Sequence, residues 1–159
     1  MGIWPTPKTR FCPIHIQILS AKVQQRMKTI HISEMIAEGG RDGRVEAADG
    51  TFAVDLSSEE REGSVTPEHL FAGAYAACFL GSLKNHAEKA GLNVEGFTVV
   101  GRAHLEEDDR GEYQLHMELR AAMPGVSDSD AEHVMNLAHQ TCPYSKATRG
   151  NIIVNLSFD

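Results

Sequence analysis

Beyond Met27 the apolar positions fall into short alternating runs, interrupted by two longer stretches of helical spacing. Lys28 to Ala37 is β-prone and runs into the turn cluster Gly39-Gly-Arg-Asp-Gly43. Arg44 to Ala48 and Thr51 to Leu56 flank Asp49-Gly50, a two-residue hairpin signal. Ser57 to Val65 reads as a charged loop. Thr66 suits an N-cap and Pro67 the first helical position, which predicts a helix to about Lys89 that stops before Gly91. Its middle (Ala72, Gly73, Ala74, Ala76, Ala77, Gly81) is apolar or small on nearly every face, so a buried helix closely approached by its neighbours is expected. Phe97 to Leu105 and Tyr113 to Ala121 form a second hairpin across the polar stretch Glu106 to Glu112. Ser127 caps a second helix, with Asp130 completing a capping-box-like pattern. Ala131, Val134, Met135, Ala138 and Cys142 keep helical spacing until Pro143 ends the run. Ile152 to Phe158 closes as an alternating strand. The order ββ(β)-α-ββ-α-β predicts an α+β fold with helices packed on antiparallel sheets.

The first 26 residues depart from this pattern. They hold Lys8, Arg10, Lys22 and Arg26 and no acidic residue, whereas the whole chain carries 22 acidic side chains and a net charge of −7. Residues 1–26 are read as an N-terminal extension open to disorder, and 27–159 as one domain. Ile14 to Leu19 is too short and interrupted for a secretory core, and the weak amphipathic pattern argues against a targeting peptide. The acidic balance disfavours nucleic acid and anionic membranes as partners, and no apolar run approaches the roughly 20 residues a membrane helix needs. Three cysteines without a Cys-x-x-Cys pair are too few for a disulfide framework, which points to a reducing, cytoplasmic compartment. In such a compartment paired cysteines are more often redox-active than structural.

Cys78 and Cys142 carry the candidate chemistry. Each is flanked by apolar residues on the buried side of a predicted helix, and their wide separation suggests one thiol that reacts and one that resolves it. A buried cysteine is otherwise a small hydrophobe, and Cys12 is read as incidental. The eight histidines show no usual ligand-pair spacing, so no metal is expected.

The segments Thr66-Pro-Glu-His-Leu-Phe-Ala-Gly-Ala-Tyr-Ala-Ala-Cys78-Phe and Cys142-Pro-Tyr-Ser-Lys-Ala-Thr-Arg-Gly-Asn-Ile152 resemble the two signatures of the organic hydroperoxide resistance (Ohr) family, a branch of the OsmC-like superfamily. Gly39-Gly-Arg-Asp-Gly-Arg44 resembles its N-terminal arginine loop. The likeness covers Met27 to Asp159. The loop before Thr66 departs from it, reading Glu59-Glu-Arg-Glu-Gly63 where a glycine-rich stretch is expected. The resemblance implies antiparallel sheets around two central helices in an intertwined homodimer, with active sites at the subunit interface. It implies a thiol peroxidase without metal or flavin, in which Cys78 is peroxidatic, Cys142 resolving, and Arg41 and Glu68 catalytic. It also implies a dithiol reductant on a lipoyl-bearing protein.

Elementary chemistry runs the same way. A thiolate is the nucleophile, and a buried cysteine without help keeps its proton. Arginine supplies a cation that stays charged in an apolar setting, and a carboxylate can hold its fork. Apolar walls at Phe71, Phe79, Met135 and Tyr144 would favour alkyl or lipid hydroperoxides over hydrogen peroxide. Arg149, Asn151 and Tyr144 frame the Cys142 turn. Glu68 and Cys78 lie ten positions apart, about 15 Å on a straight helix. Either the segment bends or Glu68 serves the cysteine of a second subunit. A peroxidase of broader, OsmC-type range, a non-catalytic binder of apolar small molecules and a general thiol–disulfide oxidoreductase are the competing readings. The missing Cys-x-x-Cys argues against the last.

Overall fold

The computed structural model describes residues 28–59 and 62–159. The extension, Cys12 and the Met27 boundary lie outside the described residues. The chain divides into a unit Met1–Ser33 and a unit Glu34–Asp159. In the first, residues 28–33 have no regular structure. The expected strand from Lys28 therefore shortens to β1, Met35–Glu38.

In the second unit β1 is followed by a 3₁₀ turn at Gly40–Asp42, β2 (Arg44–Ala47), β3 (Ala53–Leu56) and β4 (Ser64–Val65). These form one sheet in the order β1-β2-β3-β4. The β2–β3 hairpin is present, but its ladder closes at Ala47 and Phe52 around four residues, not two. The reason is local: the Asp49 carboxylate accepts from the Thr51 amide at 3.0 Å and hydroxyl at 2.6 Å, and that turn holds Thr51 out of the strand. The loop read from Ser57 contains β4, which pairs parallel with β3 and leads straight into the first long helix.

That helix, α1, spans Pro67–Lys89. Thr66 caps it, and His69 fills the place usually taken by glutamate: its amide donates to the Thr66 hydroxyl, and its Nδ1 accepts from the Thr66 amide at 3.1 Å. At the far end the Leu92 amide returns to the Ala87 carbonyl while Gly91 takes a φ of 77°. One face of α1 is sealed by Tyr75, Ala76, Phe79, Leu83 and Ala87. The other is not: Gly73, Ala74, Ala77 and Gly81 are exposed. Burial on nearly every face thus holds for one side only, because this chain's sheet and helices cover only that side.

β5 (Thr98–Glu107) and β6 (Tyr113–Ala122) form the second hairpin. α2 (Asp128–Thr141) and α3 (Pro143–Thr148) then carry the chain back to β7 (Ile153–Phe158). Because that crossover returns the chain to the starting end of β6, β7 pairs parallel to it. Both sheets are therefore mixed, and the expectation of purely antiparallel sheets is corrected. α3 is a third helix where Pro143 had read only as a stop; proline is equally at home in the first helical position.

The core lies between the β5-β6-β7 sheet and the helices, with Met117, Leu119, Val134 and Ala138 fully buried. Gly101 of β5 lies directly under α1. A Cβ there would stand 2.7 Å from the Ala72 carbonyl oxygen and 3.1 Å from the Ala76 methyl. Among the described residues no helix is long and apolar enough to cross a membrane.

Candidate active site

Pro143 places the second cysteine. A residue before proline is pushed out of helical geometry, and Cys142 sits at φ −55°, ψ 126°. Its amide closes α2 onto Ala138 at 2.8 Å, and its carbonyl accepts the Lys146 amide of α3 at 3.0 Å. Cys142 is thus the junction of two helices, not part of one. The bend brings its fully buried sulfur to 3.4 Å from the half-buried sulfur of Cys78, midway along α1. Both thiols are reduced. Burial pushes the Cys78 thiol above its ordinary range. A backbone hydrogen bond from Tyr144 pulls the other way, and the Cys142 thiol adds to the rise. No cation contributes to this balance, so in this chain by itself Cys78 holds its proton.

The candidate cation stands elsewhere. In the arginine turn Gly39 and Gly40 have φ of 72° and 64°, and a Cβ on Gly43 would run into the Glu38 carbonyl oxygen. The Asp42 carboxylate accepts from the Ser58 amide and hydroxyl, both at 2.8 Å, which fastens the turn to the end of β3. Arg41 projects from it and grips Glu68 with a two-pronged pair, Nη1–Oε1 at 2.9 Å and Nη2–Oε2 at 2.7 Å. The fork holds the Glu68 carboxyl down to about 2 and raises Arg41 in turn. Arg41 is 47% exposed at its side chain and Glu68 15%, so the carboxylate is packed while the guanidinium keeps one side open. A groove of about 310 Å³, lined by Thr66, Glu68, Ala72 and Gly101 among others, opens beside this pair.

The structure brings Cys78 to Cys142 and Arg41 to Glu68, but not the two pairs to each other. α1 runs without interruption from Pro67 to Lys89, so the ten-residue step between Glu68 and Cys78 keeps its rise of about 15 Å. Of the expected walls, Phe71 and Tyr144 stand together, ring centres 6.5 Å apart. Phe79 and Met135 are 0% and 3% exposed and belong to the core. Their assignment as open pocket walls is corrected: apolar character does not say which helix face a residue occupies.

Two residues beside the sulfurs were not singled out from sequence. Tyr75 is fully buried between Phe71 and Tyr144, and its hydroxyl donates to Ser145 at 2.9 Å. Their signal was available: each lies three residues from a cysteine, at helical spacing. Arg149 does frame the turn, donating from Nη2 to the His139 carbonyl at 2.8 Å. Among the described residues no three histidine, cysteine or acidic side chains converge as a metal set.

A long thiol-bearing helix packed on the β5-β6-β7 sheet is met by a second thiol at a helix junction. The family model described as OsmC-like protein matches residues 58–157. The organic hydroperoxide resistance protein of Xanthomonas axonopodis pv. citri is 36% identical over 135 residues, covering 82% of this chain and 95% of the relative. The crystal structure of the organic hydroperoxide resistance protein OhrB of Bacillus subtilis matches with a TM-score of 0.76 at 31% identity, covering 82% of this chain and 100% of that one. A Vibrio cholerae structure titled as a putative organic hydroperoxide resistance protein, with captopril bound in one of its active sites, matches at 0.77 and 32%, covering 84% and 95%. The chain therefore belongs to the organic hydroperoxide resistance family of OsmC-like proteins.

Proposed function

We propose that this chain is a cysteine-based peroxidase that reduces organic hydroperoxides to alcohols. The observation that carries the reading is the 3.4 Å between the Cys78 and Cys142 sulfurs, a pair of reduced thiols within a small shift of bonding distance. The Cys78 thiolate attacks the terminal peroxide oxygen and the O–O bond breaks. The alkoxide leaves as alcohol after taking a proton, and Cys78 becomes a sulfenic acid, oxidised by two electrons. The Cys142 thiol then displaces that hydroxyl, releasing water and forming the Cys78–Cys142 disulfide. An external dithiol, in our reading one on a lipoyl-bearing protein, reopens the bond by exchange.

The activating cation in this reading is Arg41 of a second copy of the chain. The uninterrupted α1 keeps a chain's own Arg41–Glu68 pair about 15 Å of rise from its own Cys78. The exposed small residues Gly73, Ala74, Ala77 and Gly81 offer a face on which another helix can lie close. A homodimer with two shared sites satisfies both observations. Phe71 and Tyr144 give the thiol end an aromatic lining suited to an alkyl or lipid hydroperoxide.

The test is peroxide consumption with dihydrolipoamide as reductant. The chain is expected to turn over cumene hydroperoxide far faster than hydrogen peroxide, and Cys78→Ser to be inactive. Equal efficiency on both peroxides would remove the substrate assignment. No consumption at all, with apolar ligands still bound, would leave a binding protein in its place.

A further inference from the structure

The two sulfurs are not the only contact between the helices that carry them. Tyr75 lies three residues before Cys78 on α1, and Ser145 three residues after Cys142 on α3, so each is on its cysteine's side of its helix. The Tyr75 hydroxyl lies 2.9 Å from Ser145 Oγ and 3.2 Å from Thr148 Oγ1. Tyr75 and Ser145 are 0% exposed and Thr148 8%, so no bulk water substitutes for these bonds. Thr148 gives its own proton to the Tyr144 carbonyl at 3.0 Å, so towards Tyr75 it can only accept; the shorter contact makes Ser145 the principal acceptor of the phenol proton.

On the other side of Cys142, Thr141 is held to α1 as well. His86 Nε2 lies 2.9 Å from Thr141 Oγ1, whose own proton goes to the Leu137 carbonyl at 2.9 Å. His86 therefore donates here, in either its neutral or its charged form. α1 thus fastens the chain just before Cys142 and again one turn after it, with the sulfur contact between.

We infer that Tyr75, through its buried hydrogen bond to Ser145, is the positioning residue for disulfide closure: it holds α3, and with it the Cys142 sulfur, against the oxidised Cys78. The inference rests on the peroxidase reading. Closure from 3.4 Å to a disulfide at about 2.05 Å asks for a shift of little more than 1 Å. A sulfenic acid that is not captured reacts with a second hydroperoxide, giving a sulfinic acid and another molecule of alcohol, and that product is not recovered by a dithiol. Loosening α3 therefore moves the branch point between capture and over-oxidation, while the first attack, made by Cys78 itself, is untouched.

The experiment treats reduced wild type, Tyr75→Phe and Ser145→Ala with one equivalent and with excess cumene hydroperoxide and reads intact mass. Circular dichroism checks each fold, and Cys142→Ser marks full over-oxidation. The expected result is an unchanged rate of Cys78 oxidation at one equivalent. At excess peroxide the ratio of disulfide to sulfinic acid should fall about fivefold to tenfold in both variants, the weight of one buried hydrogen bond. The double variant should add little to either single one, because the two groups form one bond. Folded variants with a wild-type ratio, even at a lower melting temperature, would reduce Tyr75 to a packing residue and overturn the inference alone. A wild type that forms no Cys78–Cys142 disulfide would overturn the peroxidase reading, and the inference with it.

Discussion

The first turn of α1 and its thiol-bearing middle are built on opposite principles. At the N-terminal end a guanidinium and a carboxylate are gripped by two short hydrogen bonds, with Arg41 half open to solvent. In the middle two sulfurs meet in an apolar setting where burial raises the Cys78 thiol. One end holds a fixed cation with no nucleophile beside it, and the other a nucleophile with no cation. Neither is a working site for thiolate chemistry, because a buried thiol needs a nearby positive charge to ionise near neutrality. On the proposed reading, the difference means that the chain carries two halves of one site on a rigid spacer, to be joined by a second copy running the other way.

The comparison breaks or holds most sharply by mixing subunits. Cys78→Ser and Arg41→Ala should each lose about a thousandfold or more of peroxide reduction, one for want of a nucleophile and one for want of its activation. In a heterodimer of the two, one site pairs an intact Cys78 with an intact Arg41 from the other subunit, and the other site lacks both. Statistical re-assortment of the inactive parents should then restore about a quarter of wild-type turnover. If each site were built within one chain, every heterodimer would be dead, and a mixture without activity would end the shared-site reading.

A smaller effect sharpens the electrostatic half. In a Cys142→Ser background the rate of Cys78 alkylation against pH reports its thiolate. Glu68→Gln should loosen the fork and let the Cys78 titration rise toward the value burial dictates, with about tenfold slower alkylation at neutral pH, recovered as pH increases. The carboxylate's own titration does not intrude. Its pKa is held down to about 2, so the pair is whole above the ordinary carboxylate value of 4.5 and is lost only as pH falls through about 2. A neutral-range profile identical to wild type would separate Glu68 from the thiol altogether.

The ends of α1 also differ in how far the sequence announced them. Thr66, Pro67 and Gly91 delimit the helix because capping and positive-φ requirements are local, and the structure places the boundaries where those residues predict. Cys78 and Cys142 read as a pair from their apolar flanks and separation and from two motif resemblances, but nothing along 64 positions states their distance in space. Strand direction was not legible: β7 alternates apolar and polar equally well parallel or antiparallel to β6, and only the α2–α3 crossover decides. Phe79 and Met135 read as pocket walls because they are apolar and near the cysteines, yet one step along a helix turns a side chain by about 100°. That turn takes Phe79 from the sulfur face into the core.

Gly101 gives the smallest predicted effect and tests how stiffly the spacer joins its two ends. It lies beneath α1 at Ala72 and Ala76, between Glu68 and Cys78, where a methyl group would press on the Ala72 carbonyl oxygen and the Ala76 side chain. Backbone cannot yield as a flexible side-chain tip would, so Gly101→Ala should cost about 1–3 kcal/mol and lower the melting temperature by several degrees. The thiol end is tied to α3 by the Tyr75 hydroxyl and to the end of α2 by His86, whereas the Glu68 end is tied mainly through the arginine turn. The helix should therefore lift at Glu68 and stay seated at Cys78. Disulfide yield at one equivalent of peroxide should remain at the wild-type level while alkylation of Cys78 near neutrality slows slightly. A disulfide yield that drops in step with stability would mean that α1 moves as one piece, and that its two ends are less independent than their bonding suggests.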